Sequence, residues 1–224
     1  GVSRSGLPAL DHVFKNVEIF RFGPEVPASD VLGLTLGGKK DSNIGRWMAL
    51  SGRFPIPDKE DPTILYPTVE HFLAGMKIKH ASENPAMAKS LMSVTGSIHS
   101  SSQLKRVGKS IPAESGEDYR LLLEEITLVR KTINTKANLN RYRISINDIK
   151  WNAMKDNFLR EALQYRWEND KRFRDGVSAA KDMGKYLLYS TSAALGGSEL
   201  GGVRDIAKGT ISGENRVGRF IMEM

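Results

Sequence analysis

The spacing of apolar residues changes near residue 66, and this change constrains the fold more than any other feature. Before it, glycines and prolines interrupt short strand-like runs, of which residues 17–22 and 31–36 are the clearest. After it, apolar residues recur at the three- and four-residue spacing of helices that are buried on one side. The chain is therefore expected to be α+β and mostly helical, with short strands.

Four helices are predicted in the stretch that follows. The first begins around Pro67, a residue that suits the first turn of a helix, and its apolar stripe is Val69, Phe72, Leu73 and Met76. The others are predicted at about 84–95, at 115–133, and from Asp148 to about Ala180 with one break. The last helix is expected to bury Trp151, Met154, Phe158, Ala162 and Tyr165.

The C-terminal part is predicted to contain one more strand and a closing helix. Residues 185–190 read as a short buried strand, and 196–213 hold six of the 21 glycines and read as a loop before the closing helix around Val217–Ile221. We expect a single compact domain, in which strands and loops of residues 1–49 pack on a core made by 50–224. A basic insertion is expected around 97–148.

Composition excludes several classes of protein. The chain of 224 residues has no cysteine, which rules out disulfides, a thiol nucleophile and thiolate metal sites. Its four histidines lack the spacing of zinc enzymes, so no metal site is predicted.

No apolar run approaches the roughly 18 residues of a membrane span, and the N-terminus lacks a signal-peptide pattern. The expectation is a cytoplasmic protein of a reducing compartment, with no membrane partner. A net charge of +7 favours an anionic partner.

Glu70 and Lys77 are the first candidate site residues. They are seven residues apart on the predicted first helix, so their side chains differ by only about 20° in direction and share one edge of the apolar stripe. At the border of a buried stripe, partial desolvation and mutual attraction shift pKa values toward those useful in proton transfer. The alternative interpretation is an ordinary solvated pair.

Two other segments could bind anions. Residues 129–150 contain six basic residues and one acid, and Tyr142 lies between Arg141 and Arg143. Such a stretch can hold phosphates and stack a base, although a solvated helix end followed by a basic loop explains it equally well. Residues 213–222 combine a turn with a helix start, which suits either an anion or simple capping.

In order along the chain, four blocks resemble the NADAR superfamily, which includes riboflavin-intermediate N-glycosidases and ADP-ribosyl-guanosine glycohydrolases. Residues 50–56 read L-S-G-R-F-P-I and are similar to a family loop of the form L-S-N-F-x-P. Residues 67–72 read P-T-V-E-H-F, with Lys77 after them, and resemble the helix P-S/T-x-E-H-Y/F…K. Residues 151–167 resemble a helix that begins and ends with an aromatic residue, and 213–222 resemble the closing G-x-N-x-L-G-x-x-L-M.

This resemblance implies an enzyme that hydrolyses the N-glycosidic bond of a phosphorylated or ADP-linked ribosyl base, and needs no cofactor. Glu70 would be the acid/base, and Lys77 either its partner or a direct attacker at the anomeric carbon. The resemblance also implies six substrate-binding residues: Arg53 and Phe54 closing the pocket, His71 on the helix, and Asn215, Arg216 and Gly218 on the phosphate or ribose side.

The chain also departs from the family pattern. Ser192 and Leu195 stand where the family has an acid and a tryptophan. These departures, with the basic span at 129–150, motivate an alternative function: a degenerate module that binds nucleotide or nucleic acid through Arg141 and Arg143 without cleaving it. A third interpretation is a structural protein on the same scaffold.

Overall fold

Helices and short strands are mixed along the chain. The computed structural model describes residues 19–23, 35–36, 39–40, 43–96, 144–190, 199–205 and 210–224. About half of the structure is helical, and its strands have two to four residues. The coarse expectation of an α+β chain is confirmed.

The chain divides into two compact units, which we name by their continuity. The continuous unit is Leu50–Arg166, and the discontinuous unit combines Gly1–Ala49 with Trp167–Met224. The expected single compact domain stays a prediction. The division of the chain at residue 49 and the insertion at 97–148 stay predictions.

The continuous unit contains a small hairpin and a helical layer. Strand β4 (Ile56–Pro57) pairs antiparallel with β5 (Leu65–Tyr66). Helix α2 (Val69–Ala81) packs on both strands and on α3 (Met87–Met92). The larger part of α4 (Asp148–Asn169) also belongs to this unit. The predicted helices at 67 and 84 are therefore confirmed.

Helix α2 begins two residues later than Pro67 predicted. Thr68 is its N-cap, because the Thr68 hydroxyl accepts a hydrogen bond from the backbone N–H of His71 at 3.0 Å. This leaves Pro67 before the cap rather than in the first turn. The predicted stripe is confirmed, since all four of its members are buried: Val69, Phe72, Leu73 and Met76.

Helix α4 buries a different face from the one predicted. Of the five residues expected inside, only Ala162 is fully buried, and Trp151, Met154, Phe158 and Tyr165 are half-buried. The buried residues of α4 are Leu159, Ala162, Leu163 and Arg166. The buried face is thus turned by about one residue toward the C-terminus, roughly 100° around the helix. The sequence does not predict a buried Arg166, because charged residues usually mark the exposed face of an amphipathic helix.

The discontinuous unit is built on a pair of parallel strands. Strand β1 (Ile19–Phe22) pairs with β6 (Tyr186–Tyr189), with Phe20 opposite Leu187. Both strands were predicted, and both are confirmed. Helix α5 (Lys171–Asp182) packs against β6 and against the short helix α1 (Ile44–Trp47). The predicted break before it is Asp170, which caps α5 by accepting from the N–H of Phe173.

Two further hairpins and the last helix complete this unit. Strands β2 (Thr35–Leu36) and β3 (Lys39–Lys40) pair antiparallel. The glycine-rich stretch, predicted as a loop, contains the antiparallel pair β7 (Val203–Asp205) and β8 (Thr210–Ser212). Helix α6 (Arg216–Met222) confirms the predicted closing helix and packs on β6.

Several predictions lie outside the described residues. They are the third helix at 115–133, most of the basic insertion at 97–148 with Arg141 and Arg143, and the departures at Ser192 and Leu195.

Candidate functional site

Glu70 lies at the start of α2, where the helix dipole favours a negative charge. Its backbone N–H donates to the carbonyl of Leu50 at 3.1 Å, which holds the loop after residue 50 against the start of the helix. The Glu70 side chain is half-buried. A carboxylate is therefore positioned at the border of the buried stripe, as its spacing predicted.

Lys77 lies two turns further along the same edge of α2 and is also half-buried. Burial is the main reason why its pKa is lowered from 10.5; the charge of Asp148 opposes this shift and that of Lys155 adds to it. Within the described part of the chain, the Lys77 amine makes no hydrogen bond and no ion pair, including none with Glu70. A lysine that is partly desolvated and unpaired is more readily neutral, and hence more nucleophilic, than an exposed lysine.

The loop of residues 50–55 lies in the same unit as these two groups. Phe54 packs on Tyr165 of α4, with 6.2 Å between the ring centroids at a tilt of 49°. Arg53 and Phe54 are both half-buried. The loop therefore contacts α2 through Leu50 and α4 through Phe54, and contacts of Arg53 and Phe54 with a substrate stay predictions.

His71 has a structural role at the helix start. It is fully buried, and its Nδ1 lies 2.8 Å from the hydroxyl of Thr68, which also caps the backbone N–H of His71. The T-x-x-H spacing thus closes the first turn of α2 from both backbone and side chain. A contact between His71 and substrate stays a prediction.

A row of aromatic rings, not predicted from the sequence, joins α2 to α4. His80 stacks on Phe158 at 5.1 Å between ring centroids and 29° between planes, and Phe158 stacks on Trp151 at 6.0 Å and 14°. Phe72 meets the edge of Phe158 at 6.2 Å. The eight-residue spacing of Phe72 and His80 and the seven-residue spacing of Trp151 and Phe158 could have indicated the row, but only once α2 and α4 were known to be neighbours.

A charged network lies where strand β4 ends, in the connection between β4 and β5. Asp58 is nearly fully buried and accepts from the Lys79 amine at 2.7 Å, and Glu60 lies 3.2 Å from the same amine. Burial lowers the pKa of Lys79, but its hydrogen bonds to these two carboxylates more than offset this, and the pKa is raised. This network holds β4 against α2 and has no counterpart in the predicted site.

Asn215 and Gly218 belong to the discontinuous unit, where they join α6 to β6. The Asn215 side chain accepts from the N–H of Tyr189 at 2.9 Å and donates to the carbonyl of Leu187 at 2.8 Å. It also donates to the hydroxyl of Tyr186 at 3.0 Å. The amide thus pairs with the strand as a neighbouring backbone would. Gly218 gives the space for this approach, and the family-like block at 213–218 has this structural explanation.

Arg216 is also nearly buried, and its charge is compensated. Its guanidinium lies 2.9 Å from a carboxylate oxygen of Glu214 and 3.7 Å from one of Glu199. Contacts of Asn215, Arg216 and Gly218 with a phosphate or ribose stay predictions, as do those of Arg141 and Arg143.

The described part of the chain contains no group of three or more His, Asp or Glu side chains that could hold a metal ion. None of its helices combines the length and apolar character required to cross a membrane. Comparisons with family models, with curated proteins and with solved structures found no match to this chain.

Proposed function

We propose that the chain is an N-glycosidase that cleaves the bond between a base nitrogen and the anomeric carbon of a phosphorylated or ADP-linked ribose. The observation that supports this most strongly is Lys77: a half-buried amine without an ion-pair partner among the described residues, on one helix edge with Glu70. The four-block resemblance to the NADAR superfamily supports the same activity.

The lack of an ion pair between Glu70 and Lys77 favours the role of attacker for Lys77. Its neutral amine would bond to the anomeric carbon as the bond to the base breaks, and the electron pair of that bond would leave with the base. The Glu70 carboxyl would donate the proton that the departing nitrogen takes up. The resulting Glu70 carboxylate would then take up a proton from the Lys77 nitrogen that has bonded to the sugar.

Water completes the cycle. Opening of the sugar ring would give a Schiff base between Lys77 and the anomeric carbon. Water, activated by Glu70, would add to that carbon, and the carbon–nitrogen bond to Lys77 would break. The free sugar would leave and the amine would return, so the net reaction consumes one substrate and one water and yields base and sugar.

Mass spectrometry of released base and sugar tests the proposal. The panel is ribosylaminopyrimidine phosphate, ADP-ribosyl-guanosine and ADP-ribosylated guanine in DNA, each with wild type, Glu70→Gln and Lys77→Met. We expect release by wild type from at least one member and none above background by either variant. Lys89→Met, an exposed lysine on α3, is the matched control and should keep wild-type release.

Reductive trapping separates the two roles of Lys77. Borohydride added during turnover should reduce the Schiff base and leave the sugar covalently attached to Lys77, located by peptide mapping. Release without any trapped adduct would make Lys77 a partner of Glu70 rather than the attacker. No release from any member by folded protein would contradict the N-glycosidase proposal and favour the binding module.

A further inference from the structure

The row of rings between α2 and α4 ends at Trp151. His80, Phe158 and Trp151 follow one another with interplanar angles of 29° and 14°, so the three rings are close to parallel. Among the described residues no further ring contacts Trp151. The indole itself is only half-buried. The row therefore ends at a position that solvent, and a ligand, can reach.

The indole N–H of Trp151 is available as a donor. In the discontinuous unit, the buried Trp47 satisfies its indole by donating to Asp170 at 3.2 Å. The Trp151 indole N–H donates to no group in the described ranges. Buried indole groups usually have a partner, so the unpaired N–H belongs to the part of the ring that faces outward.

Two backbone contacts fix the start of α4 beside the end of α2. The N–H of Asn147 donates to the carbonyl of Ala81 at 2.7 Å, and Ser82 forms an antiparallel bridge with Ile146. Stacking of His80 on Phe158 holds the two helices together further along α4. The first turns of α4 are thereby held against the half of α2 that carries Lys77.

Trp151 lies on the face of α4 that packs on α2, because it stacks on Phe158, which contacts Phe72 and His80 of α2. The charges of Asp148 and Lys155 both act on the Lys77 amine. Residues 148, 151 and 155 lie on one face of a helix because they are three and four apart. Trp151 therefore lies on the same face of α4 as the two charged side chains that act on Lys77.

Charge distinguishes the two ends of the row. At the His80 end, the imidazole lies 3.9 Å from the carboxylate of Glu60, where a phosphate would be repelled. At the Trp151 end, the amines of Lys77 and Lys155 accompany the carboxylate of Asp148, so amines outnumber carboxylates among the described groups that act on Lys77. A flat ring that carries a phosphorylated sugar therefore fits the Trp151 end and not the His80 end.

We propose that Trp151 is the stacking surface for the flat heterocyclic base of the substrate, next to Lys77. This inference rests on the proposed function and adds a substrate class: a planar aromatic base attached to a phosphorylated sugar, with the base against the indole and the anomeric carbon toward the amine. A non-aromatic leaving group would not be bound in this way.

Calorimetric titration with two probes tests the inference. Guanosine 5′-monophosphate has the base and ribose 5-phosphate lacks it. Wild type should bind the nucleotide about 5- to 150-fold more tightly than the sugar phosphate, since stacking of one base on an aromatic side chain contributes about 1–3 kcal/mol. Trp151→Leu should lose most of this preference, and Trp151→Phe should keep most of it. Trp167→Leu, at a half-buried tryptophan of the other unit, should bind as wild type.

Fluorescence provides a measurement that leaves Trp151 intact. In the Trp47→Phe/Trp167→Phe variant, Trp151 is the only tryptophan of the three that remains. Its emission should be quenched by guanosine 5′-monophosphate and not by ribose 5-phosphate. Equal affinity of folded Trp151→Leu and wild type for the nucleotide, or no quenching at saturating nucleotide, would overturn the inference.

The outcomes also separate this inference from the proposed function. Binding of the nucleotide through Trp151 without release of base from any panel member would support the stacking surface and contradict the N-glycosidase. Release of base with the same KM in wild type and Trp151→Leu would support the N-glycosidase and overturn the stacking surface.

Discussion

The backbone of Gly218 approaches Leu187 so closely that a Cβ atom on this residue would lie 2.2 Å from the Leu187 carbonyl oxygen. Backbone and the Asn215 amide surround the position, so no flexible side chain can move away to make room. Helix α6 can therefore reach strand β6 only with glycine at residue 218.

We expect Gly218→Ala to lower the free energy of unfolding by about 3 kcal/mol or more, because the helix must move away from the strand. Thermal melting followed by circular dichroism measures the loss. Gly184→Ala is the control: its φ of 69° is left-handed, but nothing lies within 4 Å of the added atom, so only about 1 kcal/mol of backbone strain is expected. Equal losses in the two variants would mean that the close approach to Leu187 is unimportant.

The Asn215 side chain can be tested apart from its left-handed backbone, which has φ of 47°. Asn215→Gly keeps that conformation but leaves the N–H of Tyr189 and the carbonyl of Leu187 without the amide, so we expect a loss of about 2–4 kcal/mol. Asn215→Ala should lose about 1 kcal/mol more through backbone strain. Denaturant unfolding measures both. A glycine variant as stable as wild type would show that water satisfies the strand equally well.

The pKa of Lys77 should respond to its two charged neighbours in opposite directions. Asp148→Asn removes an attraction and should lower the pKa further, whereas Lys155→Met removes a repulsion and should raise it. Burial, the largest cause, is unchanged in both variants. The pH dependence of acylation of Lys77, measured by peptide mass spectrometry, reports the direction of each shift. If the pKa of Lys77 shifted in the same direction in both variants, Asp148 and Lys155 could not be the two charges that act on it.

Lys77 should also affect stability at alkaline pH. Between the lowered pKa of the folded state and 10.5, the unfolded chain binds more protons at this residue than the folded chain. Stability contributed by Lys77 should therefore rise with pH across that window. In Lys77→Met this rise should disappear, which chemical denaturation at a series of pH values would detect.

Tyr66 should titrate unusually late. Burial, followed by the negative charge of Asp58, raises its pKa from 10.0 to about 12. The folded state then holds the phenol proton more tightly than the unfolded state, so stability falls as pH rises from 10 to about 12. Asp58→Asn should bring the pKa down, though not to 10.0, because burial remains. Ultraviolet titration of tyrosinate, with Tyr66→Phe as the reference, measures the shift.

The sequence predicted features that depend on local periodicity and left out those that depend on contacts between distant segments. The edge shared by Glu70 and Lys77 follows from helix geometry alone, and the structure has both side chains half-buried there. The buried face of α4 depends on what packs against it, and this turned the helix so that Arg166 is inside and Trp151 is at the edge.

The role of Asn215 also depends on contacts between distant segments, which local periodicity does not predict. A turn before a helix start was evident from the sequence, and capping or anion binding were both compatible with it. The actual role of the amide requires knowing that Leu187 and Tyr189 lie alongside, 28 and 26 residues away in the chain. No local pattern of residues carries that information.

The parallel pairing of β1 with β6 has a consequence for biosynthesis. Phe20 meets Leu187, so the first strand emerges from the ribosome long before its partner has been translated. The continuous unit, Leu50–Arg166, is complete by then and can fold in the interval. We therefore expect β1 to remain unpaired, and exposed to chaperones and to incorrect pairing, until β6 has been synthesised. Asn215, whose amide pairs with β6, is synthesised later still.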